Sequence, residues 1–548
     1  MNNQQNIHNK PSIIRLPLVI GVSISLGLYL GATFFGKSDE TATLIGPKNA
    51  SLLKEILQHI DESYVDPVDT DTLLDYGITK MLEKLDPHTS YIPVEEAEAV
   101  RSQLQSGFDG IGVEFNVFND SVFVVTPLAG GPSEAAGIRS GDIILSADGQ
   151  SLTGKKASTA DVYKVLRGPK NSKVTLQIKR RGYAKPLPFT IVRDKIPTFS
   201  IDAAYLMEDK KTGFIRVNRF AETTYDEFKK HTETLLKSGM KQLILDLRGN
   251  PGGYMDRATD MLDEFIEGDG LLLYTEGQDR RNNQRVFAGK KGLLEKTPVV
   301  VLIDEGSASA SEIVSGTLQD YDRAWIVGRR TFGKGLVQAP IPLSNGAELR
   351  LTISRYYIPS KRSIQKPFVS GDVEGYQAER YTRNAQKQDS TQVKTVYKTL
   401  GGRPVFGGGG ITPDVIVPAD TSFLTVGLID LFNQNILQEF TLEYTAENQK
   451  EWQAKGFAAF QKSFFVNDNQ VEAIFQMAKR AGVVIDKKAI QPSIPYIKTQ
   501  VKALIARTIW QSRNADGLNN AYYQIVQERD KEIKAALGQM KKAAQFAQ

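Results

Sequence analysis

Cysteine is absent from all 548 residues, which removes disulfides, thiolate metal sites and cysteine nucleophiles at once. Histidine is scarce: His8, His59, His88 and His231 lie far apart, without the spacing of a metal site. Charge of one sign is not in excess either. The formal net charge is +5 and no basic block stands out, so nucleic acid is not an expected partner. No metal or cofactor is expected from this composition. What remains is ordinary for folded protein, 41% hydrophobic and 24% charged, and the length exceeds what one core can serve.

One long apolar run is present, "LPLVIGVSISLGLYLGATFF" (16–35), without a charge. It matches the ~20 residues a bilayer-spanning helix needs. Lys10 and Arg15 precede it, which predicts residues 1–15 as a cytoplasmic tail, 16–35 as a single anchor and the remainder as extracytoplasmic. A cleaved signal peptide is the alternative, with export the same.

Composition then divides the chain. Residues 48–104 read as helical, and 105–195 as short β runs interrupted by the helical "TADVYKVLRG". Residues 196–420 alternate strand and helix, with 361–400 polar and read as a surface loop or insertion. Residues 421–548 are amphipathic helix, with Trp452 and Trp510 as packing residues.

"GRRTFGKG" (328–335) carries the spacing of a phosphate-binding loop until Gly335, which stands where a magnesium-holding hydroxyl belongs. A phosphate loop must also open a helix. Here Pro340 and Pro342 follow, and Asn345-Gly346 between apolar alternations predicts a hairpin, so Lys334 sits between strands. The nucleotide reading fails. Upstream, "GSASASE" (306–312) places three serines between a buried strand and a helix start. Such serines serve either as caps and turn residues or as a presented nucleophile beside backbone N–H groups. A Ser–Lys pair is an established variant of the catalytic triad, and no histidine is well placed to act as base.

"GSASASEI", "TFGKGLVQ", "DLRGNPGG" and "RPVFGGGGITPD" together resemble the carboxyl-terminal processing peptidases, the tail-specific serine proteases. "GIGVEF" through "SGDIILSADGQSL" resembles the PDZ domain those enzymes carry, and the similarity spans roughly residues 50–420. The resemblance implies a multidomain α/β protein: a β-rich PDZ domain before a mixed α/β Ser-Lys protease core, flanked by helical terminal regions. It implies Ser309 as nucleophile, Lys334 as base and Gln338 as the residue that orients Lys334. If residues 334, 336 and 338 share one strand, their side chains share one face. The oxyanion donors would be the N–H groups of Ala310 and of Gly253, chosen over Gly252. Glu312 and Asp320 match supporting positions, and Asp320 at a helix C-terminus needs a compensating partner. In the PDZ region, Gly110, Ile111, Gly112 and Val113 match the carboxylate-binding loop, and Arg167 an arginine that couples PDZ to core. Substrates would be polypeptides with accessible apolar C-termini, and the resemblance suggests a homodimer. A non-catalytic PDZ scaffold would require Ser309 or Lys334 to be replaced. A penicillin-recognising enzyme, echoed by "SLLK" (51–54) and "KTG" (211–213), lacks the intervening S-D-N.

Overall fold

The computed structural model describes residues 50–547, apart from 103, 119–120, 129, 155–158, 181, 386–394 and 511–515. The run 16–35 lies outside the described residues, among which no helix is long and apolar enough to cross a membrane. Residues 50–80 form one compact unit, with helices Ala50–Ser63 and Thr70–Leu82 beginning in it, and 81–548 form the other.

The second unit is organised by a six-stranded sheet in the order Ile201–Leu206, Thr212–Val217, Gln242–Asp246, Val299–Ile303, Trp325–Gly328, Val415–Ile416. Its first pair is antiparallel and the others are parallel. The runs "LIL" (243–245) and "VVVLI" (299–303) are apolar throughout because both of their faces are covered. Leu243, Leu245, Val299, Val301 and Ile303 face a core shared with Phe228, Met261 and Ile313 of the helices on that side. Ile244, Val300 and Leu302 point to the opposite face, against Ile533, Ala536, Met540 and Ala543 of the helix Lys531–Ala543. The last helical region of the sequence thus closes the back of the sheet.

A second, antiparallel sheet joins Ser90–Ile92, Glu348–Tyr357, Leu271–Glu276 and Arg285–Phe287, with Leu336–Pro342 also on Glu348–Tyr357. The hairpin expected at Asn345-Gly346 is present: Leu336–Pro342 and Glu348–Tyr357 pair antiparallel, and Gly346 has φ 92°. The polar stretch read as a loop contains the helix Val373–Ala385, and Tyr376 on it is buried against Phe332.

Residues 107–197 form a separate β-rich body. Its sheet runs Val113–Phe118, Ser121–Pro127, Ile143–Ala147, Lys173–Lys179, Leu187–Val192, with the helix Thr159–Leu166 packed on it through Val162 and Leu166. Val113–Phe118 is therefore an edge strand. Further helices from Val426 onward build their own core around Phe440, Trp452, Phe460 and Phe464. Arg507 of the helix Ile494–Trp510 donates to both oxygens of Glu114 on that edge strand, at 2.8 and 2.7 Å.

Candidate active site

Three loops leave the carboxyl ends of adjacent parallel strands, where open α/β sheets bind their ligands. They are 247–253 after Gln242–Asp246, 304–309 after Val299–Ile303, and 329–335 after Trp325–Gly328. Ser307 Oγ donates to Leu247 O at 2.9 Å and Ser311 Oγ to Asn250 O at 2.9 Å, so both buried serines tie the second loop to the first. Only Ser309 of the three lines the cavity in front of the sheet. Its φ of 54° and ψ of −114° lie outside the usual regions for a residue with a side chain, a strained strand-to-helix turn that presents the hydroxyl.

Glu312, three residues on, is fully buried, and burial raises its carboxyl above the ordinary range. It accepts from Ser309 N at 2.8 Å, Thr331 Oγ1 at 2.5 Å, Gly333 N at 2.7 Å and Lys334 N at 2.8 Å. One carboxylate thus fixes the serine turn and the lysine loop together. The buried Tyr356 hydroxyl sits within reach of Ser309 O, at 3.1 Å, and of Lys334 O. Gly335 is required by close approach: a Cβ there would meet Gln365 N at 2.8 Å.

Lys334 lines the same cavity, about 620 Å³ in volume, and its amine is held below the ordinary lysine range by burial and then by the Arg350 guanidinium. Glu312 and Asp86 oppose that shift. Phe332 and Leu336, its apolar neighbours in sequence, are buried. Gln338 lines the cavity too, but residues 334, 336 and 338 do not share one regular strand. The strand begins only at Leu336, and the pairing shifts between Val337 and Gln338. The Gln338 amide donates to Thr352 Oγ1 at 3.2 Å.

At the glycine loop, the N–H of Gly252 donates to Asn250 Oδ1 at 2.9 Å. Gly253 forms a parallel bridge with Phe220 in which Phe220 N donates to Gly252 O and Tyr254 N to Phe220 O, at 2.9 and 2.8 Å. That pattern turns the N–H of Gly253 to the other side. Gly252 itself must be glycine, since a Cβ would lie 2.7 Å from Ser309 Cβ. Ala310 opens the helix Ala310–Asp320, so its N–H has no acceptor within that helix. Asp320, at the other end, pairs with Arg362 at 2.8 Å, both side chains fully buried; this is the compensating cation the sequence required.

Sequence reasoning missed His88, Asp86 and Arg350. His88 and Arg350 line the cavity. Burial, then the charge of Lys334, lowers the His88 ring to about 4, and its Nε2 lies 2.9 Å from the Tyr376 hydroxyl. The signal was the turn "DPHT", in which Asp86 accepts from His88 N and Thr89 N at 2.8 and 2.9 Å.

In the β-rich body, Ile111 O and Gly112 O accept from Ser133 N and Leu128 N at 2.9 and 3.0 Å, and Gly112 has φ 70°. This loop leads into the edge strand Val113–Phe118, whose Phe115 lies against Tyr163 of the helix Thr159–Leu166 at 5.0 Å between rings. Arg167 Nη1 donates to Ser102 Oγ at 3.2 Å, and its guanidinium lies over Phe108 and Tyr163. Ser102 ends the helix Val94–Ser102, whose Val100 and Arg101 line the catalytic-side cavity. Arg167 is thus brought to the wall of the cavity and not to Ser309 or Lys334. Among the described residues no acidic or histidine cluster suited to a metal ion occurs.

Residues 211–375 match peptidase family S41, 123–180 match the PDZ domain, and 428–511 match a family of unknown function. A carboxy-terminal-processing protease of Bartonella bacilliformis is 36% identical over 359 residues, 65% of this chain and 81% of that protein. The carboxy-terminal processing protease CtpB of Bacillus subtilis is 34% identical over 316 residues, 57% of this chain and 65% of that one. Among solved structures, a photosystem II D1 C-terminal processing protease is 28% identical, covering 60% of this chain and 93% of its own, with a TM-score of 0.33.

Proposed function

The chain belongs to the carboxy-terminal-processing proteases of peptidase family S41, serine-type peptidases with a PDZ domain, and from that premise we propose that it cleaves with a Ser309–Lys334 pair. The observation that carries this reading is the shared cavity: Ser309 on its strained turn and Lys334 with a desolvated amine line it together, their loops joined by Glu312.

In this mechanism neutral Lys334 takes the proton of Ser309 as Oγ attacks the scissile carbonyl. The oxyanion is met by the N–H groups of Ala310 and Gly253, each such donor being worth about 10²–10³ in kcat. The lysine ammonium then protonates the leaving amine, and water releases the acyl group by the same route. Gln338, held by Thr352, orients the Lys334 amine. Asp320 supports through Arg362 the helix that Ser309 caps.

The PDZ domain selects. An extended tail adds to the edge strand Val113–Phe118, and its terminal carboxylate meets the N–H groups of residues 110–113. The apolar surroundings of Phe115 and Tyr163 favour an apolar last residue. Residues 16–35 act as a membrane anchor that places the protease outside the cytoplasm, and copies pair through their terminal helical regions.

The test is Ser309→Ala against an unstructured polypeptide with an apolar C-terminus. Cleavage is expected to vanish while the melting temperature holds; continued turnover would exclude Ser309 as nucleophile.

A further inference from the structure

The glycine loop and the lysine loop share one neighbour at the back of the sheet. Arg248 stands in the glycine loop, Glu305 precedes the serine turn, and Arg329 opens the lysine loop. Glu532, in the first turn of the helix Lys531–Ala543, is only 8% exposed. Its two oxygens go to different arginines: Oε2 accepts from Arg248 Nη1 and Oε1 from Arg329 Nη1.

Each arginine has a second carboxylate partner, Asp246 at the end of its own strand for Arg248 and Glu305 of the serine loop for Arg329. Arg248 donates to Asp246 through Nε and Nη2, at 2.9 and 2.8 Å. Arg329 Nε donates to Glu305 Oε2 at 2.6 Å, and Gly249 N to Asp304 Oδ1 at 2.8 Å closes the ring between the outer loops and the serine loop. The start of the helix is itself held: Asp530 caps it, accepting from Glu532 N and Ile533 N at 2.8 and 3.0 Å, and its other oxygen takes Arg248 Nη1 at 2.8 Å.

A buried carboxylate between two guanidinium groups is not needed to dock this helix, because Ile533, Ala536, Met540 and Ala543 already bury an apolar face on the sheet. Apolar packing gives comparable stability without the desolvation cost of ions. What the carboxylate adds is geometry: it sets the spacing of two loops that must stand on either side of Ser309.

We propose that Glu532 is a positioning residue for the peptidase reaction, bridging Arg248 and Arg329 from behind the sheet so that the glycine loop and the lysine loop keep their separation. The proposal rests on the assignment of Ser309, Lys334 and Gly253 above. It acts on the chemical step, since a misplacement near 1 Å can cost on the order of 10²-fold in rate.

The experiment uses the full chain and an unstructured polypeptide substrate with an apolar C-terminus. Glu532→Gln keeps the shape but turns an amide NH₂ toward one arginine. It is expected to lower kcat about 10- to 100-fold with KM nearly unchanged. Glu532→Asp, which keeps the charge, recovers part of that loss, and Lys531→Ala on the exposed side of the same turn leaves both constants alone. Wild-type kcat in Glu532→Gln, beside an inactive Ser309→Ala, overturns the positioning role only. An active Ser309→Ala overturns the site assignment instead. A loss in Glu532→Gln that equals its loss of folded protein, measured by calorimetry, also overturns the role.

Discussion

An ammonium stripped of water gives up its proton more readily, and Lys334 is kept in that condition by burial first and by Arg350 second. In the proposed Ser309–Lys334 mechanism the neutral amine is the working form. Activity is therefore expected to fall as pH drops through the depressed Lys334 pKa and to rise above it. Arg350→Met removes the like charge, raises that pKa and moves the acidic limb of kcat/KM to higher pH; a limb that stays in place would rule out Arg350 as a tuner. His88 carries a second pH signature. Its folded pKa of about 4 lies below the ordinary 6.5, so as pH falls the unfolded chain takes the proton first. The stability held by the neutral ring is complete above pH 6.5 and is lost on acidification toward pH 4, a change of roughly 3 kcal/mol. His88→Gln should flatten this slope in denaturant titrations across that window, and an unaltered slope would remove His88 from the account.

At the level of elements, the helix Ala310–Asp320 ends on an acid that its own dipole disfavours, and Arg362 answers it in a fully buried pair. Removing one member strands the other. Arg362→Met is expected to cost about 3–5 kcal/mol, and Asp320→Leu with Arg362→Met together to regain most of it, by chemical denaturation. Equal losses in both variants would deny the pair this role. The sequence made much of this architecture legible. Apolar runs named the central strands, Asn345-Gly346 named a hairpin, and the serine and lysine motifs named residues that share one cavity. The rest depended on contacts that spacing does not encode. His88 reaches the cavity because Ser90–Ile92 pairs with Glu348–Tyr357, far along the chain. The shift at Val337 and Gln338 is a property of the pairing, invisible in an alternating pattern. Helical periodicity marked residues near the C-terminus as amphipathic but could not say that the apolar face of Lys531–Ala543 meets the sheet instead of other helices.

At the scale of the whole molecule, the PDZ domain and the peptidase domain are linked by polar contacts. Arg167 is one: from the PDZ domain it reaches Ser102, at the end of the helix whose Arg101 bonds Glu348 beside the cavity at 3.0 Å. Arg167→Ala should leave binding of a tail peptide to the PDZ domain within about twofold, yet lower kcat of the intact protein several-fold, as a coupling energy of about 1 kcal/mol requires. Calorimetric titration alongside turnover checks this; a variant that weakens binding and spares kcat would make Arg167 a peptide contact instead.

The bridge between Arg329 and Glu532 joins residues 203 positions apart. Polypeptides emerge from the ribosome at about 5–20 residues per second, so some ~10–40 s separate the synthesis of one from that of the other. During that interval Ser309 and Lys334 have been made but the carboxylate that joins the flanking loops has not. The glycine and lysine loops therefore reach their bridged spacing only after synthesis has passed residue 532.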